Sequence, residues 1–318
     1  MATSAPLQIS VIIPTYGRPD LVVQCIGSIL NGHYESFEIL VIDQDTSRRL
    51  ERKLFEQFPA EDRLRYFVLG QAGASRARNL GLQQARGKIV AFIDDDAVAD
   101  AAWLSAMADV FLALERPPAL VAGRIKPLWL VPKPTWYPAQ REYLLGLYDI
   151  GGGVRPMPEQ DQPISANMAG ARAVITALGG FDERLGPNYF RKRPMLTGED
   201  ALLSQRARRA GHNLYYQGDA IVYHQIPKAK LSKRYFLHRH FWEGVTQITE
   251  MHLLGDPQPS RVRHLRYHLD RIVRSAVSPF LLRFRSVSDE ARSVATMYSW
   301  SDAAFSLGVI YGLCCLEA

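Results

Sequence analysis

Residues 88–97 read KIVAFIDDDA, and the fold turns on this stretch. The five apolar residues Ile89 to Ile93 have the length and β-branched content of a strand buried on both faces. Three carboxylates, Asp94, Asp95 and Asp96, follow at its carboxyl end. In an open α/β sheet, ligands bind just beyond the carboxyl ends of the strands. Three acids placed together there repel one another unless a cation joins them, and a hard divalent ion bridging two phosphates takes oxygen ligands of this kind. A solvated acidic turn has the same composition, so the surrounding sequence has to decide.

Upstream of this stretch, Ile9 to Ile13, Glu38 to Ile42 and Arg65 to Leu69 read as further strands, with Lys88 to Ile93 the fourth. Between the first two, Leu21, Val22, Cys25, Ile26, Ile29 and Leu30 fall on one stripe of a helix. A second helix is expected from Ser75 to Ala85 and a third from Ala101 to Glu115, with short strands at Ala119 to Ile125 and Ala220 to Tyr223. Buried-strand runs alternating with helices predict an α/β fold, a mostly parallel sheet flanked by helices. Residues 127–163 are rich in Pro, Gly and aromatics and read as an irregular insertion. After about residue 230 the pattern is helical, with basic and aromatic residues mixed, so a domain over residues 1–230 and a helical, basic extension over 231–318 are expected.

The chain has 318 residues, 47% of them hydrophobic, enough for one large domain or for a smaller domain with a helical appendix. Cys25, Cys314 and Cys315 form neither a paired framework nor a zinc-site spacing, so no disulfide is expected. The opening MATSAPLQIS lacks the charged start and apolar run of a secretory signal, and Ala303 to Leu316 is too short to span a bilayer. The amino-terminal domain is therefore expected in the cytosol. The formal charge is +6, and residues 228–292 alone hold 13 Lys or Arg against 6 Asp or Glu. Such a patch attracts anionic lipid, a phosphorylated acceptor or nucleic acid by the same electrostatics.

Four polar clusters fall at strand ends or in adjoining loops: Pro14 to Arg18, Asp43 with Asp45, the GASRARNLG of residues 73–81, and the acidic triplet. Core packing alone does not call for such convergence. With SVIIPTYGR at 10–18, VIDQDT at 41–46, FIDDDA at 92–97, ANMAGARAVITALGGFDERL at 166–185, GEDALLSQRARRAG at 198–211 and VYH at 222–224, the chain resembles the family-two inverting glycosyltransferases of the GT-A fold. The resemblance spans roughly residues 8–245, and the order and spacing of the motifs make it specific.

Position by position, the resemblance implies that Pro14, Thr15, Tyr16 and Arg18 line a nucleotide pocket, with Asp43 and Asp45 on its base side. A carboxylate accepts hydrogen bonds and cannot donate, so Asp43 suits the N3 proton of uracil and makes a UDP-sugar the expected donor. The commoner family form has two adjacent acids and a Gly after this strand, and Gln44 departs from it. Arg76 and Asn79 lie one helical turn apart and are expected to face ribose or phosphate. Asp94 and Asp95 are placed on the substrate, Asp96 and His224 on Mg2+ or Mn2+, and Asn167 near the diphosphate or sugar. Of Glu199 and Asp200, one is the expected base that deprotonates the acceptor hydroxyl, Asp200 ahead of Glu199. First-turn carboxylates are also favoured by the helix dipole alone.

The expected activity is metal-dependent sugar transfer from a nucleotide-sugar to a saccharide or lipid-linked acceptor, in polysaccharide or glycolipid synthesis. A sugar nucleotidyltransferase and a catalytically silent nucleotide-binding subunit are the alternatives. Arg261, Arg263, Arg266, Arg271 and Arg274 recur at helical spacing with Leu265, Leu269, Ile272 and Val273 between them. That suits an interfacial helix, so residues 231–285 are expected to meet an anionic membrane from the cytoplasmic side, and no nucleic-acid partner is expected.

Overall fold

The computed structural model describes residues 9–187, 196–257, 260–282 and 288–315. Residues 258–259 and 283–285 of the expected membrane-facing tail therefore lie outside the described residues. In chain order the elements are β1 (Ile9–Thr15), α1 (Pro19–Leu30), β2 (Phe37–Asp43), α2 (Arg49–Gln57), β3 (Leu64–Val68), α3 (Ala74–Gln84), β4 (Ile89–Ile93), β5 (Ala97–Ala99), α4 (Trp103–Ala113) and β6 (Leu120–Trp129). There follow β7 (Val154–Pro156), β8 (Asn167–Ala171), α5 (Arg172–Ala177), α6 (Glu199–Arg209), β9 (Leu214–Ile226), α7 (Lys233–Leu253), α8 (Arg261–Leu282) and α9 (Asp289–Cys315).

The strands form one mixed sheet in the order β3-β2-β1-β4-β8-β6-β9-β5, with β7 paired to β9. Its first half is parallel, β2 and β4 flanking β1 and β3 outside β2. The strands β1, β2 and β4 are apolar runs buried along their whole length, as strands covered on both faces must be. Register does the functional positioning: Thr15 pairs with Asp43, and Ile9 pairs with Ile89, an offset that brings Thr15 level with Asp95. Ile12, Leu40, Val90 and Phe92 pack under the helices with Leu82 and Phe181, the two Phe rings meeting edge to face at 5.0 Å.

The second half of the sheet is less regular than the sequence implies. The short, small-residue strand β8 runs antiparallel between β4 and β6. Asn167 at its start would overlap any Cβ at Gly123 of β6. The segment expected as a strand only from Ala220 to Tyr223 is the 13-residue β9. It carries β5 antiparallel at its carboxyl end, with Ala97 opposite His224.

Two compact units partition the chain. The first comprises Met1–Leu128, Gly146–Pro194 and Glu199–Gln225, and the second Trp129–Leu145, Met195–Gly198 and Ile226–Ala318. In the second, α9 packs on both α7 and α8, around Ile248, Val309 and Leu313. Trp136 and Tyr137, from the Pro-rich insertion, meet the Phe236 ring edge-on, so these aromatics serve packing within that unit. Asp302 accepts from Arg141 and Arg271, tying the insertion to α8 and α9. Among the described residues, no helix is long and apolar enough to cross a membrane.

Candidate active site

The site is built on the carboxyl ends of β1, β2 and β4. Thr15, the last residue of β1, donates its hydroxyl to Asp95 at 2.7 Å. Tyr16 is half-buried beyond it, and Pro14 is buried within the strand. Asp43, at the end of β2, is buried and accepts from the Tyr66 hydroxyl at 2.7 Å and from the Asp45 backbone N–H at 2.9 Å. Burial pushes the Asp43 carboxyl above its usual range despite those bonds. Tyr66, which orients Asp43, is a β3 residue that the sequence did not single out. Gln44 accepts from the Gly73 backbone N–H at 2.6 Å and donates to the Thr15 carbonyl, so it fastens two loops of the site.

Beyond β4 lies an acidic cluster. Asp95 and Asp96 are buried, and Asp94 is partly exposed. Arg18 reaches Asp95 at 3.0 Å and Asp96 at 3.2 Å. Burial still pushes Asp95 up to about 7, with Asp96 and Asp94 adding repulsion that Arg18 and Thr15 only partly offset. The β5–β9 pairing carries His224 to the same place, its Nε2 3.0 Å from Asp96. Gly146, at φ +75°, lets its loop close over this imidazole, because a Cβ there would sit 3.1 Å from two ring atoms. Asp94, Asp96 and His224 each offer one ligand atom, and these lie within 4.8 Å of one another. Two carboxylates and an imidazole at that separation fit Mg2+ or Mn2+, with Arg18 and Arg78 as neighbours that orient the acids.

A second set of charges joins this cluster to α6. Arg78 is 4% exposed and donates to Glu199 at 2.8 Å and to Asp94 at 3.1 Å. Burial disfavours its charge, yet Glu199, Asp94 and Asp200 outweigh that and hold its pKa above the ordinary value. Glu199 is raised instead, because burial and the adjacent Asp200 exceed the attraction of Arg78. Its Oε2 is buried without a hydrogen-bond partner among the described residues. Asp200 is only partly buried, and its Oδ2 is fixed by the Ser165 backbone N–H at 3.0 Å and the Ser165 hydroxyl at 3.3 Å.

Several expected positions have other employment. Arg76, expected to face ribose or phosphate, pairs with Glu183 at 2.9 Å and bonds Gln71. Asn79 donates to the Phe181 carbonyl and accepts from the Phe181 backbone N–H, a two-bond clasp on the turn after α5. The residue of α3 that faces the acids is Arg78, which the sequence did not nominate. Ser75, Arg78 and Leu82 occupy the buried stripe of the helix, so an arginine within an apolar stripe was the available signal. Asn167, expected near the diphosphate or sugar, is fully buried: its Oδ1 accepts from Trp103 Nε1, and its Nδ2 donates to the Arg124 and Ala220 carbonyls. Its amide hydrogens are spent on β6 and β9 and its oxygen on α4. Asp45 accepts from the Ser47 backbone N–H and from Arg49, forming the turn before α2.

A nucleotide-type parallel half-sheet with carboxylates gathered at its carboxyl edge has the layout of the GT-A architecture. Residues 10–128 match the family model described as glycosyl transferase family 2. The chain is 24% identical over 316 residues to a glucosyl-dolichyl phosphate glucuronosyltransferase of Haloferax volcanii, covering 96% of each chain. It is 37% identical over 89 residues to an uncharacterized glycosyltransferase of Rickettsia bellii, covering 28% of this chain and 13% of that one. The solved structure of a mannosyltransferase from Pyrobaculum calidifontis, in complex with GDP-Man and Mn2+, has a similar fold. It aligns with a TM-score of 0.62 at 16% identity, covering 98% of this chain and 90% of that one. The family-two match is carried by residues 10–128, and with the alignment to the Haloferax relative along nearly its whole length it identifies the chain as a glycosyltransferase.

Proposed function

We propose that this chain transfers a sugar from a nucleotide-sugar, with UDP as the nucleotide, to a hydroxyl of a lipid-linked acceptor, inverting the anomeric centre and using Mg2+ or Mn2+. The observation that carries the proposal is the approach of Asp94, Asp96 and His224 within 4.8 Å at the strand edge. Asp94, assigned to substrate on sequence grounds, joins Asp96 and His224 as a ligand in this proposal. Those three residues would hold the ion, which when bound would supply positive charge against the negative charge that develops on the leaving diphosphate.

The chain's own groups account for the rest. Arg18 and Arg78 hold the acids in place, so little reorganisation is needed when charge develops, which is where most electrostatic catalysis arises. Thr15, Tyr16 and Asp43 line the nucleotide side. Asp200 is the base for the acceptor hydroxyl, since it is partly exposed and oriented by Ser165, whereas Glu199 is buried and holds Arg78 as a positioning residue. The Haloferax relative, which matches along nearly its whole length and is named for a dolichyl phosphate-linked substrate, supports the lipid-linked acceptor. A lipid-linked acceptor supports a peripheral position at a membrane, which we propose to be its cytoplasmic face. The Mn2+ in the name of the similar solved structure supports the metal.

The Asp43 carboxylate also accepts from the N1 proton and amino group of guanine, so the donor screen needs GDP- and dTDP-sugars beside UDP-sugars. Purified protein is incubated with each, with Mn2+ or with EDTA, and nucleotide release is measured. Metal-stimulated release of UDP is the expected result. Release of pyrophosphate from a nucleoside triphosphate supplied with a sugar 1-phosphate would identify a nucleotidyltransferase, and no release from any donor would identify a silent binding subunit.

A further inference from the structure

The second unit has a surface that the transfer reaction does not use. Along α8, Val262, Leu269, Val273, Val277 and Phe280 are each 46% to 77% exposed. Their spacing of seven, four, four and three residues keeps them on one stripe, running about 27 Å along the helix axis. The opposite stripe is the packed one: His268 and Ser275 are buried there, and Leu265 joins the cluster of Ile248, Val309 and Leu313. Single exposed apolar residues are ordinary, but a continuous row on one helix face marks an interaction surface.

The charges beside the row identify its occupant. The helix carries five arginines against one aspartate. Arg261 is bonded to the Leu313 carbonyl, Arg271 to Asp302 and Arg274 to Asp270. Arg263 and Arg266 are exposed and have no ion pair among the described residues. We propose that α8 docks lengthwise on an anionic lipid bilayer, its apolar row entering the boundary of headgroups and acyl chains while Arg263 and Arg266 meet lipid phosphates. A second copy of the same face would set arginine against arginine, and a nucleic acid would leave the apolar row in water. An anionic bilayer satisfies both features at once. The inference goes beyond the transfer reaction and stands on the second unit alone.

The test is flotation of the full chain with vesicles of phosphatidylcholine alone or mixed with phosphatidylglycerol. Wild type is expected to float with the anionic vesicles only and to be released by raised salt. Arg263→Gln with Arg266→Gln is expected to weaken binding roughly thirtyfold, about 1 kcal/mol for each arginine. Val273→Asp with Val277→Asp is expected to abolish it, with an unchanged thermal melt and unchanged metal-stimulated nucleotide release. If the Asp pair lowers the melt, the arginine pair, whose side chains lie wholly at the surface, decides alone. Equal binding to both vesicle types, full binding by both variants, or a dimer in solution that the Asp pair dissociates would overturn the proposal. Vesicle binding without nucleotide release from any donor would leave the docking face standing while refuting the proposed reaction.

Discussion

Acids lie at opposite ends of the same parallel strands, a single buried one at one end and a cluster, buried except for Asp94, at the other. Near the amino ends, Glu38 of β2 accepts from the Ser10 hydroxyl, Arg65 and the Arg86 backbone N–H, each at 2.7 Å. Burial alone would raise Glu38, but those three donors outweigh it and leave its pKa below the usual carboxylate range. At the carboxyl ends, Asp94, Asp95, Asp96 and Glu199 share two guanidinium groups, and both Asp95 and Glu199 are raised. Burial is common to the two groups. They differ in the supply of donors: an acid with its own complement of partners is a fastener, whereas acids in surplus call for positive charge from outside the chain.

The strongest way to break this contrast is Asp96→Ala. We expect metal-stimulated nucleotide release to fall by at least about a thousandfold, roughly 4 kcal/mol of transition-state stabilisation, and near-normal turnover would remove the metal from the site. Asp200→Asn should lower sugar transfer by about a hundredfold to ten-thousandfold while calorimetry shows donor binding unchanged. A matching loss of donor binding would instead place Asp200 on the nucleotide side. Glu38→Ala makes the reverse prediction. Leaving Ser10 and Arg65 without their acceptor should cost about 3 kcal/mol of stability, seen in urea unfolding, with turnover per folded molecule unchanged.

The smallest expected effect is in pH dependence, measured by thermal melts in EDTA. Glu38 has a lowered folded pKa, so its stabilisation is present above the unfolded value and is lost as pH falls through the folded one. Glu199 has a raised folded pKa, so stability is fully present below about pH 4, near the unfolded value, and declines as pH rises toward neutrality. Glu38→Gln should therefore flatten the acid limb and Glu199→Gln the neutral one. Identical limbs in both variants would erase the distinction between the two acid groups.

The parallel half of the sheet was legible because its strands are unbroken apolar runs that allow no other placement, and the acids and His224 were legible through their motifs. β8 was not, because Asn167, Gly170, Ala169 and Ala171 carry little strand propensity, Met168 alone gives no alternation, and the strand is held by pairing on both sides. Arg78 was hidden by a two-residue difference in helical phase. Arg76 and Asn79 are the pair that spacing alone puts on one face, but tertiary packing turns the Ser75–Arg78–Leu82 face inward. Asn167 was misplaced for a related reason: a buried amide beside a candidate site looks the same in sequence whether it meets a ligand or three groups of its own chain.

That amide also limits which residues positions 123 and 167 of this chain can hold together. Asn167 lies where a side chain from position 123 would otherwise project, so a change at either position bears on the other. A library randomising both codons should return glycine and asparagine together, or replaced together by another pair of matched volume and polarity, and seldom one without the other.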